Sequence, residues 1–204
     1  MLGMGFVSKK LSVQQNKDVQ LACSYQQCRL IVKTSKTSFY YGMWLTWGRN
    51  KRNALFAIYA WMRSIDDIAD SVLCSEEKIK LLYDFYQTTK VVFSPQTHAG
   101  MIDPFVWDKS SFWPAFQQTV QVYQIPFRYF EDMFLGQLQS VQQNSYQNFP
   151  DLYQYCYRVA ATVGLACLSI WGYQGGETAK KLAEYRGIAL QLIFLQSLHL
   201  DSPK

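Results

Sequence analysis

The chain has 204 residues, 49% hydrophobic, 16% aromatic and 17% charged, which excludes a disordered protein and allows one domain with a sizeable core. Its net charge of +5 and pI near 8.9 are mild, and no run of five or six basic residues occurs. A nucleic-acid partner is therefore not expected, whereas a basic rim for an anionic small molecule and a peripheral contact with a membrane surface both stay open.

Met1 to Phe6 is too short for the apolar core of a signal peptide, and Lys9 and Lys10 interrupt the next stretch. No stretch reaches the roughly 18 apolar residues of a membrane span. Five cysteines without zinc spacing read as reduced thiols of a cytoplasmic protein, and two histidines disfavour a histidine-ligated metal or a histidine-based triad.

The pattern is helical almost throughout. A first helix is predicted over 17–35, with Leu21, Tyr25, Cys28, Ile31 and Val32 on one stripe, ending at the polar run Thr34 to Ser38. Further helices are predicted over 52–72 and 76–90. Pro95, Gly100, Pro104 and Pro114 mark 94–114 as mostly loop. Helical pattern resumes over 113–123 and, after Pro126, over 127–143. Pro150 opens a long segment, 149–171, with Asp151 as its expected cap, and a last helix covers 177–198. There is no repeat, low-complexity tract or linker, so a single all-α domain over 1–204 is expected.

The second of these helices carries the chemistry. Asp66, Asp67 and Asp70 close the otherwise apolar run from Ala54 to Ile65, and carboxylates on a helix that must pack into a core call for a cation. At about 100° per residue, with Tyr59 at zero, Arg63 lies at about 40°, Asp66 at about 340° and Asp70 at about 20°. The four share a face, and Asp66 and Asp70 can hold Mg²⁺ together, in a shell that commonly includes substrate phosphate. Asp67, at about 80°, points toward the polar side. Arg63 stands where a guanidinium can pair with the aspartates and reach a diphosphate. The competing reading is an exposed acidic helix end, weakened because acids there oppose the helix dipole.

Ser38-Phe-Tyr-Tyr41, with Arg52-Asn-Ala-Leu-Phe-Ala-Ile-Tyr-Ala-Trp-Met-Arg-Ser-Ile-Asp-Asp-Ile-Ala-Asp70, resembles the first half of the squalene/phytoene synthase family. Phe127 to Gly136 resembles that family's middle helix. Tyr155-Cys-Tyr-Arg-Val-Ala-Ala-Thr-Val-Gly164 resembles its YCYRVAxTVG segment, and Arg186 to Leu192 the approach to its second aspartate motif. The resemblance spans about residues 20 to 193. It implies an all-α, terpene-synthase-like helical bundle and the head-to-head joining of two prenyl diphosphates, farnesyl or geranylgeranyl, with Mg²⁺ held by two aspartate motifs on facing helices. Carried over by motif, Asp66 and Asp70 become metal ligands, Arg63 a diphosphate ligand and Ser38 a phosphate contact. Phe39, Tyr59, Tyr155, Val159, Gly164 and Gln191 become chamber residues. Gly164 falls about 180° from Tyr155 on a straight helix, so the two face one cavity only if the helix kinks near Thr162 to Gly164.

The match fails after Ile193. Phe194 stands where the family has Asn, Ser197 where it has Arg, and Leu198 and Ser202 where it has the second pair of aspartates; Asp201 is out of register by one. Ser140 stands where relatives usually carry an aspartate. A truncated or frameshifted enzyme lacking its C-terminal helices is the expectation, with turnover impaired because half a metal site only partly neutralises a leaving diphosphate. The alternatives are a non-catalytic relative binding a prenyl diphosphate or a protein, and a terpene cyclase, which the Tyr155 to Gly164 block disfavours. A greasy product would require at most a peripheral contact with the inner face of the membrane.

Overall fold

The computed structural model describes residues 4–35, 39–94, 111–143 and 145–200, with side chains described within 15–35, 40–94, 111–143 and 145–196. Among these residues all regular structure is helical, as expected. In order come α1 (Met4–Thr34), α2 (Phe39–Trp44), α3 (Arg49–Ala69), α4 (Ser75–Val92), α5 (Trp113–Val122), α6 (Phe127–Gln142), α7 (Phe149–Cys156), a π-helical turn (Tyr157–Ala161), α8 (Thr162–Trp171) and α9 (Gly176–Leu200). The chain forms two compact units, residues 1–61 with 95–122 and residues 62–94 with 123–204, the boundary falling inside α3.

In the first unit α1 starts at Met4 rather than near residue 17. Nothing between Phe6 and Thr34 is glycine or proline, and the lysines and glutamines there are good helix formers, so propensity carries the helix beyond its apolar stripe. The N–H of Ala115 on α5 donates to Ser24 Oγ of α1 at 2.9 Å, and the Tyr25 hydroxyl donates to Gln118 Oε1 at 2.8 Å. From Ala54 to Met62 every residue of α3 except Tyr59 is buried. That run contains no charge, which is the pattern of a helix enclosed on all sides. Trp61 stacks on Phe116 at 5.8 Å between ring centroids.

The second unit packs α4 on α6 through Tyr86 on Phe134 (4.2 Å) and Phe93 on Phe130 (5.4 Å). Phe130, Met133, Phe134 and Gln137 are buried at the three- and four-residue spacing of one helix face. Asn148, not Asp151, caps α7: its Oδ1 accepts the N–H of Asp151 at 3.0 Å. Asp151 sits in the first turn and accepts from Asn148 Nδ2 at 2.9 Å. With proline in the first turn, the cap falls three residues before the expected one, and asparagine is as good a cap as aspartate.

The break in the long segment is also earlier than expected. It is a π turn over Tyr157 to Ala161, closed by the N–H of Thr162 donating five residues back to the Tyr157 carbonyl. The Thr162 hydroxyl caps the Arg158 carbonyl at 2.7 Å. Two helices come close here by means of glycine. A Cβ on Gly136 of α6 would stand 2.7 Å from Val159 Cγ1, and one on Gly187 of α9 would stand 2.7 Å from Ala161 Cα and 2.8 Å from Ala160 O.

Candidate functional site

The end of α3 keeps its helical turn past the last aspartate. The N–H of Asp70 donates to the Asp66 carbonyl at 2.8 Å, and Ser71 Oγ caps the Ile68 carbonyl at 2.8 Å. Asp66 and Asp70 thus stand one turn apart, Asp66 half-buried and Asp70 exposed. Gln137 of α6 is 8% exposed, and its Nε2 donates to Asp66 Oδ1 at 2.5 Å. Burial first, then the charge of Asp70, pushes the Asp66 carboxyl up from 3.8 to about 7, against the pull of the Arg63 cation. Arg63 pairs with Asp67, Nη2 to Oδ1 at 2.5 Å. The aspartate that points to the polar side is therefore the one that engages the arginine.

Tyr155 lies within electrostatic reach of the pair. Burial, then Cys156, Asp66 and Asp70, holds its phenol above the ordinary tyrosine value. Its ring packs on Tyr146 at 5.0 Å. Val159 lies on the π turn against Gly136. Gly164 faces α9, with Ala183 O 3.3 Å from where its Cβ would stand. The extra residue in the π turn removes about 100° of rotation, so Gly164 comes to about 80° from Tyr155 rather than 180°. Gln191 is half-buried on α9, one turn beyond Ile188, which with Cys156 and Ala161 forms a small core flanked by Leu192 and Leu195. Arg63, Asp66, Asp70, Tyr155, Val159, Gly164 and Gln191 all belong to the second unit, and Tyr59 and Phe39 to the first. Tyr59 is half-buried and Phe39 opens α2. The side chain of Phe39 and all of Ser38 lie outside the described residues.

Gln137 and Tyr146 were not among the expected site residues. Gln137 had a signal: it continues the Phe130, Met133, Phe134 stripe, and a polar group on a buried stripe needs a partner. Ser140, where an aspartate was expected, donates back to the Gln137 carbonyl at 2.8 Å. The second-motif positions Asp201 and Ser202, and the side chains of Ser197 and Leu198, lie outside the described residues.

Among the described residues no three His, Cys, Asp or Glu side chains converge on one point. The donor set at Asp66 and Asp70 nevertheless suits Mg²⁺. It offers hard oxygens from two carboxylates one helical turn apart, and Mg²⁺ commonly takes only one or two carboxylates and fills its shell with water and phosphate.

Among solved structures, the chain is similar to a squalene synthase from Alicyclobacillus acidocaldarius, with a TM-score of 0.70 at 22% identity over 85% of this chain and 60% of that one. It is also similar to a dehydrosqualene synthase, with a TM-score of 0.69 at 23% identity over 84% and 55%. The fold is thus the all-helical, terpene-synthase-like bundle. The squalene/phytoene synthase family model matches residues 32–202. A 15-cis-phytoene synthase of Synechococcus elongatus is 31% identical over 156 residues, 76% of this chain and 46% of that protein. A phytoene synthase of Mycobacterium tuberculosis is 32% identical over 168 residues, 82% and 51%. The chain belongs to the squalene/phytoene synthase family. It spans about half the length of the curated relatives it matches.

Proposed function

We propose that this chain derives from a Mg²⁺-dependent prenyltransferase that joins two prenyl diphosphates, farnesyl or geranylgeranyl, head to head into a squalene- or phytoene-type product with release of diphosphate. The observation that carries this reading is the Asp66–Asp70 pair at the end of α3, with Asp66 half-buried, bonded to Gln137 and within electrostatic reach of Tyr155, in a chain of this family. Asp66 and Asp70 would hold the metal, whose chemistry is to offset the charge of the departing diphosphate. Arg63, already oriented by Asp67, would bind diphosphate oxygens. In the reaction the allylic carbon–oxygen bond breaks, the electron pair leaves with diphosphate, and the second substrate's double bond attacks the cation. Loss of a proton then closes a cyclopropane. Tyr155, Val159 and Gly164 would line the space that keeps water from that cation. Roles for Ser38, Phe39, Tyr59 and Gln191 rest on the resemblance alone.

Leu198 and Ser202 occupy the expected second aspartate positions, so this chain would retain prenyl-diphosphate binding while turning over weakly or not at all. That observation is also what favours the second reading, a non-catalytic binder of a prenyl diphosphate or a protein. Incubation with labelled farnesyl or geranylgeranyl diphosphate, Mg²⁺ and a nicotinamide hydride donor, which a squalene-type product requires, tests both: binding without robust product is expected, robust squalene or phytoene would overturn the impairment, and absence of binding would overturn the prenyl-diphosphate reading. The proposed setting is the cytoplasm, with a peripheral contact at the inner face of the membrane suited to an insoluble product. Among the described residues no helix is long and apolar enough to cross a bilayer.

A further inference from the structure

We propose that the turn joining α2 to α3 docks on an anionic lipid bilayer, with Leu45 and Trp47 entering the interface and the surrounding cations meeting the headgroups. The proposal deepens the peripheral-contact reading and names its surface.

The turn is a built structure. The N–H of Leu45 donates to the Tyr41 carbonyl at 3.2 Å and that of Thr46 to Met43 at 3.2 Å, closing α2. Gly48, at φ +96°, turns the chain in a conformation that favours glycine. The N–H of Arg52 then donates to the Gly48 carbonyl at 3.1 Å, starting α3. Trp44 anchors the turn. Its ring lies against Tyr40 and Phe56, each about 6.1 Å away, with the Arg52 and Arg29 guanidiniums over it at 4.4 and 4.9 Å. Arg52 Nη1 also donates to the Trp44 carbonyl at 3.2 Å. On this support Leu45 is 87% exposed, Trp47 95% and Tyr41 73%. Single exposed apolar residues are ordinary, but an exposed leucine and tryptophan two residues apart on one braced turn, with an exposed tyrosine on the helix that leads into it, favour contact.

Charge selects the occupant. From Val19 to Trp61, within the first unit, there are six Lys or Arg and no Asp or Glu. Arg29 and Lys33 lie one turn apart on exposed positions of α1, and Arg49 is exposed at the start of α3. A protein partner would have to bring acidic side chains to match these cations. A nucleic acid would meet the same cations and stack on Trp47, but it would leave the exposed aliphatic Leu45 without an apolar partner. A bilayer uses both features. Tryptophan settles at the headgroup level, leucine enters the acyl boundary, and basic side chains are drawn to anionic lipid, which supplies the two signals that peripheral anchoring needs.

Flotation of the full chain with vesicles of phosphatidylcholine alone, or of phosphatidylcholine mixed with phosphatidylglycerol, tests the surface. The chain is expected to float with the phosphatidylglycerol vesicles only, and less so at high salt. The double substitution Leu45→Ser with Trp47→Ser should weaken binding by about tenfold or more, and Arg49→Glu should weaken it too, with helical circular dichroism unchanged. If the unaltered chain floats and the double variant floats equally well, the surface is wrong while peripheral contact stands. If the unaltered chain floats with neither vesicle, both are overturned, as they are if it binds duplex DNA or RNA and not vesicles. None of these outcomes depends on turnover of a prenyl diphosphate.

Discussion

The side-chain amide of Gln137 donates to the carboxylate of Asp66 across 71 positions of sequence, at 2.5 Å. This bond links α6 to the end of α3 inside the second unit. It gives the Asp66 carboxylate a donor at a point where burial otherwise disfavours charge. The bond therefore bears on both stability and the orientation of a proposed metal ligand.

Replacing Gln137 by leucine keeps the volume and removes the donor. A buried acceptor left without its partner costs about 1–3 kcal/mol. Urea unfolding of Gln137→Leu should show a loss in that range at about pH 8, where the carboxylate is charged in the folded state. A midpoint equal to that of the unaltered chain would mean that the bond does not support the fold.

The glycines around the π turn give a second prediction with an internal control. At Gly187 a Cβ meets backbone atoms of Ala160 and Ala161 at 2.7–2.8 Å, which cannot move away as a flexible side chain could. At Gly42, inside α2, nothing lies within 4 Å. Gly187→Ala should destabilise the chain by about 1–3 kcal/mol, and Gly42→Ala should leave it unchanged or stabilise it by up to about 1 kcal/mol. Thermal unfolding of the two variants side by side checks the contrast, and equal melting temperatures would contradict it.

Capping at α7 gives a third. Asn148 Oδ1 accepts the Asp151 N–H, so Asn148→Ala should cost about 0.5–2 kcal/mol and Asn148→Asp much less. Asp151→Ala should retain the cap bond, because that bond uses the backbone of Asp151. Chemical denaturation ranks the three, and Asp151→Ala as the most damaging would restore aspartate as the cap.

These sites mark where the sequence was readable. Helices with a strong apolar face, such as α3 and α6, follow from local spacing, and the Asp66–Asp70 pair follows from the same arithmetic because both residues lie on one helix. The π turn does not. Its position depends on where Gly136 and Gly187 let α6 and α9 approach, and no periodicity within 149–171 carries that information. Gln137 and Asp66 meet across two helices, so only the oddity of a glutamine on an apolar stripe hinted at a partner. The start of α1 escaped for the opposite reason: it is set by helix propensity, with no apolar stripe to announce it.

The raised carboxyl of Asp66 predicts a pH dependence of stability. In the folded chain Asp66 titrates at about 7, against 3.8 ordinarily. The folded state therefore holds this proton more tightly than the unfolded state does. Its contribution to stability is full below about pH 4, falls as pH rises, and is lost above about pH 7, by at most about 4 kcal/mol. Asp66→Asn keeps an oxygen for Gln137 and removes the charge, so it should raise the melting temperature at about pH 8 and flatten the curve between about pH 4 and 7. A divalent cation stabilises the ionised form, so Mg²⁺ should raise the melting temperature of the unaltered chain more at about pH 8 than at about pH 5 and should not stabilise Asp66→Asn. Melting curves across this range, with and without Mg²⁺, read both effects without any turnover. A flat profile for the unaltered chain would remove the electrostatic argument, and Mg²⁺ stabilisation surviving in Asp66→Asn would move the metal away from this aspartate.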